Sequence, residues 1–248
     1  MKQLLMTGVI LLLLATPSVH AADLGGVELL DQQQFRLLSE DATSALSYKA
    51  VEPAEPLGWP GFDIALEVTA TDMKNAAEWV AAVSDGEIID TIVIPRLHFH
   101  KGLPFGVDFG IAYTEIPGFD IKSTGFEVRY AFLDGSTLMP AVALRYTMSD
   151  VSGIDELDFS TQGLELTISK GFAMFTPYGG IGRVETDSTP KGIAADPFPG
   201  GAGLVKESFT VSKTYIGVNI NLFVMDIGIE WDKTGDNDSY TAKFGFRF

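Results

Sequence analysis

The chain contains no cysteine. That excludes a disulfide framework, a thiolate metal site and a lipoprotein anchor. Long hydrophobic runs are also missing. The longest, Leu4 to Ala15, is too short for a membrane helix, which needs about 20 residues. Basic residues are few: 17 Lys and Arg stand against 33 Asp and Glu, a formal net charge of −16. Nucleic acid needs a basic surface, so no nucleic-acid partner is expected. Binding to anionic lipid head groups is disfavoured for the same reason. Only three histidines occur, and His98 and His100 are the two outside the first 21 residues. A His-x-His pair offers two ligands with no evident third, so no metal site is read. Gly180-Ile181-Gly182 lacks the third glycine of a dinucleotide-binding turn, so no cofactor site is read either. No catalytic set stands out.

What is present is alternation. Nearly half the residues are hydrophobic (46%), yet they are dispersed rather than gathered in runs. The last nine residues show the pattern best: Tyr240, Ala242, Phe244, Phe246 and Phe248 fall on one face of an extended strand, and Thr241, Lys243, Gly245 and Arg247 on the other. In water such an aromatic edge strand invites aggregation. In a bilayer, lipid covers the aromatic face and a closed barrel removes the edge.

Residues 1–21 read as a secretory signal peptide: Lys2, an apolar core, Pro17, and Val19-His20-Ala21 before Ala22. Residues 22–57 read as an N-terminal periplasmic or plug segment with a short helix around Leu29–Leu46, then Pro53, Pro56 and Pro60 as a stiff approach to the first strand. Residues 58–248 read as an all-β, transmembrane, antiparallel up-and-down barrel of about 10 strands. Eight or twelve remain open, through the blurred seventh segment (174–185) or a further strand near Ala45–Val51. The third strand is expected to start at Phe105, and a short helix is expected over 72–84, capped by Asp72 and ended by Gly86. Connections alternate, with short turns near 100–104, 133–137, 170–173 and 222–224 and longer loops at 71–91, 114–121, 149–160, 186–207 and 232–239. Short turns are periplasmic and longer loops external in bacterial barrels, and an even strand count places both chain ends in the periplasm. Aromatics fall at the rims: Phe99, Phe105, Phe132 and Phe246 at one end, Tyr113, Tyr146, Trp231 and Tyr240 at the other. A soluble β-sandwich also alternates, but its terminal strand should not end in aromatics.

The terminal strand resembles the assembly signal of Gram-negative outer-membrane β-barrel proteins, in which a final Phe follows alternating hydrophobic residues. Phe248 matches the last position, and Tyr240, Phe244 and Phe246 match the alternating ones. The resemblance implies localisation in the cell outer membrane, contact with its lipid, and recognition by the barrel-assembly machinery. It names no solute.

Function would lie on the inward face. The candidates there are Asp63, Glu67, Arg96, His98, His100, Asp108, Glu127, Arg129, Arg145, Glu165, Glu230, Lys243 and Arg247, with Lys213 and Asp226 in the same phase. Their signs nearly balance, which suits a charge-paired interior better than a selective filter. Many other inward positions are small, including Gly110, Ala112, Gly125 and Gly217, so water or residues 22–57 should fill the space, the latter capping the lumen from the periplasmic side. The acidic stretches Asp150 to Asp158 and Asp232 to Asp238 read as solvated loops, with weak divalent-cation binding as a lesser option. Two functional classes follow. One is a narrow, porin-like channel for a small solute or a structural barrel. The alternative is a barrel enzyme acting on envelope lipids or peptides, which would need a nucleophile or carboxylate set beside the His pair.

Overall fold

The computed structural model describes residues 25–82, 90–115, 121–197 and 201–248. The expected signal peptide and the helix end at Gly86 lie outside these residues. Ten strands are seen: β1 Phe62–Asp72, β2 Thr91–Gly102, β3 Val107–Glu115, β4 Lys122–Asp134, β5 Ala141–Ser152, β6 Leu157–Ser169, β7 Phe175–Pro190, β8 Glu207–Leu222, β9 Met225–Thr234 and β10 Asn237–Arg247. Each pairs antiparallel with its sequence neighbour, and β1 pairs with β10, so the sheet closes on itself. The seam sets Asp63 against Arg247 and Glu67 against Lys243, and Phe62 and Phe248 exchange both backbone hydrogen bonds.

The barrel is inside-out relative to a water-soluble protein. Leu97, Ile168 and Ile216 are 55, 51 and 61% exposed on the outside, whereas Arg129, Lys243 and Glu67 are fully or almost fully buried inside. Charged side chains are almost never buried in soluble folds unless paired. An apolar outer wall around a charged interior is stable only where lipid, not water, surrounds the wall. Exposed Phe62, Phe105, Phe132, Phe172, Phe223 and Phe248 ring the short-turn rim, at the level where aromatic rings meet head groups.

Several boundaries differ from the sequence reading. Strands β7 and β8 have 16 residues each, about 50 Å at ~3.3 Å per residue, longer than the ~30 Å hydrocarbon layer even when tilted. The hairpins therefore run on past the bilayer. The expected loops 149–160 and 232–239 shrink to 153–156 and 235–236 because ladder pairing continues through them. Segment 45–51 forms no strand, and β7 is uninterrupted despite its glycines. Phe105 is not the start of a strand. It sits in the Pro104–Gly106 turn with φ 66°. The turn after Leu222 is carried by Phe223 at φ 61°, a non-glycine residue in the left-handed region.

Beside short helical turns at Gly25–Leu29 and Gly192–Ala195 stand two longer helices: α1, Gln32–Leu46, and α2, Ala76–Ala82. Asp31 begins α1 with a capping box, accepting from the Gln34 amide while the Gln34 side chain accepts from the Asp31 amide. Both helices lie at the long-loop end. There Phe35, Leu38 and Leu46 of α1 pack with Met73, Trp79, Leu157, Phe159 and Leu204 in one apolar cluster.

Candidate functional site: the lumen and its internal segment

After α1 the chain leaves helical geometry at Ser47 (ψ 154°) and runs extended through the barrel to the short-turn end, where β1 starts. The contacts descend in order. Near the long loops, Ser39 donates to the Phe35 carbonyl and contacts Ser188 at 2.9 Å, and Thr43 meets Thr186 at 2.8 Å. Lys49 then donates to both oxygens of Asp232 at 2.7 and 2.9 Å. Lower down, Glu52 accepts from Lys243 and Arg247. At the bottom, the Leu57 amide donates to Asp108 at 3.2 Å.

The backbone of this segment belongs to no sheet ladder, so its polar groups need other partners. The wall supplies cations. Arg96 donates to the Ala45 carbonyl, Lys213 to Tyr48 (3.1 Å), Arg145 to Glu52 (3.1 Å) and Arg129 to Pro53 (2.6 Å). The Ala54 amide donates to Ser169 Oγ at 3.0 Å. Four wall cations on four carbonyls fix the segment without sheet pairing.

The same cations hold the wall together. Arg96 and His98 each lie 2.9 Å from Glu67. Arg129 meets Asp108 at 3.1 Å through Nε. Arg145 stands between Glu127 (3.4 Å) and Glu165 (3.1 Å), and Lys213 meets Glu165 at 2.7 Å. Lys243 reaches Asp226 at 2.7 Å, and Arg247 reaches Asp63 at 3.2 Å. Glu230 is buried opposite Gly217 and Thr241. The thirteen inward candidates are thus all found on the interior side, buried except for Arg247, which is 22% exposed at the rim.

The glycines on the wall match what faces them. A Cβ at Gly110 would come within 2.7 Å of the Tyr48 hydroxyl and 2.5 Å of the His100 ring, and one at Gly125 within 2.6 Å of the Tyr48 ring. A Cβ at Gly228 would meet Val51 Cγ1 at 2.8 Å. Val51 itself has φ 48°, a costly conformation for a β-branched residue that persists only when its surroundings over-determine it. The Gly110→Ala variant should lose about 1–3 kcal/mol of stability, the usual cost of overpacking a filled site. Urea titration followed by the heat-dependent gel shift of the barrel measures it. A stability equal to wild type would mean that Tyr48 does not occupy this space.

His98 and His100 face the lumen but do not form an open site. Both are fully buried, the Tyr48 ring meets His98 edge-on at 5.5 Å, and the Tyr48 hydroxyl lies 3.1 Å from His100 Nε2. Ligand atoms of Glu52, Asp63 and His100 come within 4.8 Å of one another. However, Lys243 and Arg247 already contact the two carboxylates, so the cation position of that cluster is occupied by the chain itself.

Sequence reading missed Asp41, Tyr48, Lys49, Glu52 and Asp232. From its polarity Asp232 reads as part of a solvated loop. It is fully buried because β9 extends to Thr234, and its phase with Asp226 and Glu230 was the available signal. Asp41 is buried, and among the described residues no cation pairs with it. It accepts from Asn75 (amide 3.0 Å, side chain 2.8 Å), Trp79 (3.1 Å) and Asn237 (2.8 Å), tying α1 to the first loop and to the β9–β10 turn. Beside it, a cavity of about 330 Å³ opens between Leu37, Glu40, Lys74, Ser212 and Asp236.

No family model and no curated protein sequence matches the chain. Solved structures with some likeness include a KdgM porin in complex with disordered oligogalacturonate (8% identity, TM-score 0.39, 75% of this chain and 99% of that one). Others are the outer membrane protease OmpT from Escherichia coli (8%, 0.39, 76% and 95%) and the outer membrane protein OprG from Pseudomonas aeruginosa (11%, 0.34, 79% and 99%). These likenesses are too distant to carry any activity across. On its own geometry the chain is a closed, ten-stranded, membrane-type β-barrel with a lipid-facing wall and an occupied, charge-paired lumen.

Proposed function

We propose that this is a small outer-membrane barrel sealed by its own N-terminal segment, a structural barrel in this form rather than an open diffusion channel. The observation that supports this most directly is the pair of bridges Lys49–Asp232 and Glu52–Lys243, which join the segment to the wall deep in the lumen with every partner almost fully buried. Water and ions passing these bridges would have to solvate groups that are buried in this form. The narrow-channel reading then describes the barrel with its segment displaced, and a small solute would be its cargo only in that state. The outer membrane as location, its lipid as the surrounding medium and the barrel-assembly machinery as partner are supported by the apolar outer wall and the aromatic terminal strand.

Planar bilayers test the reading. The full chain should insert without stable single-channel steps, and a barrel lacking residues 22–57 should conduct. Steady ohmic steps from the full chain would sink the sealed-barrel proposal.

A further inference from the structure

We infer that the barrel exports its own N-terminal region: residues 25–46 cross to the long-loop side during assembly, so that α1 stands outside the cell. The two ends of the described chain lie on opposite sides of the sheet. Phe248 pairs with Phe62 at the short-turn rim, whereas α1 packs among the loops at the other end. An even strand number alone would place both ends on the short-turn side. The descent from Thr43 through Lys49 and Glu52 to Leu57 moves the N-terminal region to the opposite side. This rests on the outer-membrane reading, in which short turns face the periplasm.

The order of events follows from size. A helix with its side chains is about 10–12 Å across, and the finished lumen is filled by a single extended strand of chain and its ion pairs. No helix passes through that space. The residues of α1 must therefore cross unwound, in extended form, and fold on the far side. The wall cations that bind the Tyr48, Glu52 and Pro53 carbonyls contact the backbone rather than side chains, a mode of holding that suits a segment laid in extended form. The apolar cluster around Phe35 and Leu38 then forms on the far side and prevents return.

The cysteine-free sequence permits a direct test with single cysteines in the full chain, expressed in cells and probed with a maleimide on a polymer too large for porins. Gln33→Cys reports α1, Asp155→Cys the β5–β6 turn and Thr137→Cys a short turn, all at exposed positions. Gln33→Cys and Asp155→Cys should label in intact cells, and Thr137→Cys only after the outer membrane is permeabilised. Labelling of Asp155→Cys but not Gln33→Cys in intact cells overturns self-export while leaving the orientation standing. Labelling of Thr137→Cys alone overturns the orientation and self-export together. Heat-modifiable migration confirms that each variant has folded, and Leu29→Cys, also exposed, replaces Gln33→Cys if that variant does not assemble.

Discussion

Replacing Lys49 with Met destabilises the folded barrel by about 3–5 kcal/mol, the cost of leaving one member of a buried ion pair without its partner. Lys49 and Asp232 are both fully buried, and among the described residues Asp232 keeps Thr234 Oγ1, at 2.8 Å, as a further hydrogen-bond donor. The uncompensated carboxylate, not the lost attraction, sets the size of the effect. Asp232→Asn should cost a similar amount by stranding the ammonium. The double variant Lys49→Met/Asp232→Asn removes both charges and should recover most of the loss, because a buried ion pair contributes little net stability over neutral groups of similar shape. Urea unfolding in detergent, read by tryptophan fluorescence, gives all the corners of this cycle. A single-variant cost well under 1 kcal/mol would show that water reaches the pair and that the lumen is open.

Deleting Phe248 removes most of the assembled protein from the outer-membrane fraction. The deletion takes away both backbone hydrogen bonds between Phe62 and Phe248 and the ring stacked on Phe62, with centroids 5.1 Å apart. It also shifts the chain end onto Arg247, whose side chain belongs to the interior. An unpaired strand end in a barrel leaves backbone groups exposed at the edge of the apolar layer, where each costs several kcal/mol. A normal yield of heat-modifiable protein after the deletion would count against both the seam and the recognition of this strand by assembly machinery. Phe248→Tyr keeps the ring and the backbone pair and should assemble as wild type does.

Alternation made the wall legible. In β3, Val107, Phe109 and Ile111 alternate with Asp108 and Gly110, and a period of two leaves one assignment of inside and outside. The closing register keeps the same phase, with Asp63 opposite Arg247 and Glu67 opposite Lys243. Strand ends were less legible. In β6 and β9 the ladder continues through Asp158 and Asp232, residues whose polarity suggested loops. A helix around Leu29–Leu46 was legible, but not its Asp31 cap or the end of the barrel at which it lies.

The sequence alone pointed to an all-β barrel of about ten strands and to the lipid-facing side of each, because strand periodicity is local. Only the tertiary structure decided what fills the interior. Ser47 to Leu57 has no period of its own, and its Lys49 and Glu52 look like ordinary surface charges. Their roles depend on Asp232, Lys243 and Arg247, more than 180 residues away along the chain. Such pairings form only when the closed sheet brings those carboxylates and cations into one lumen around the segment.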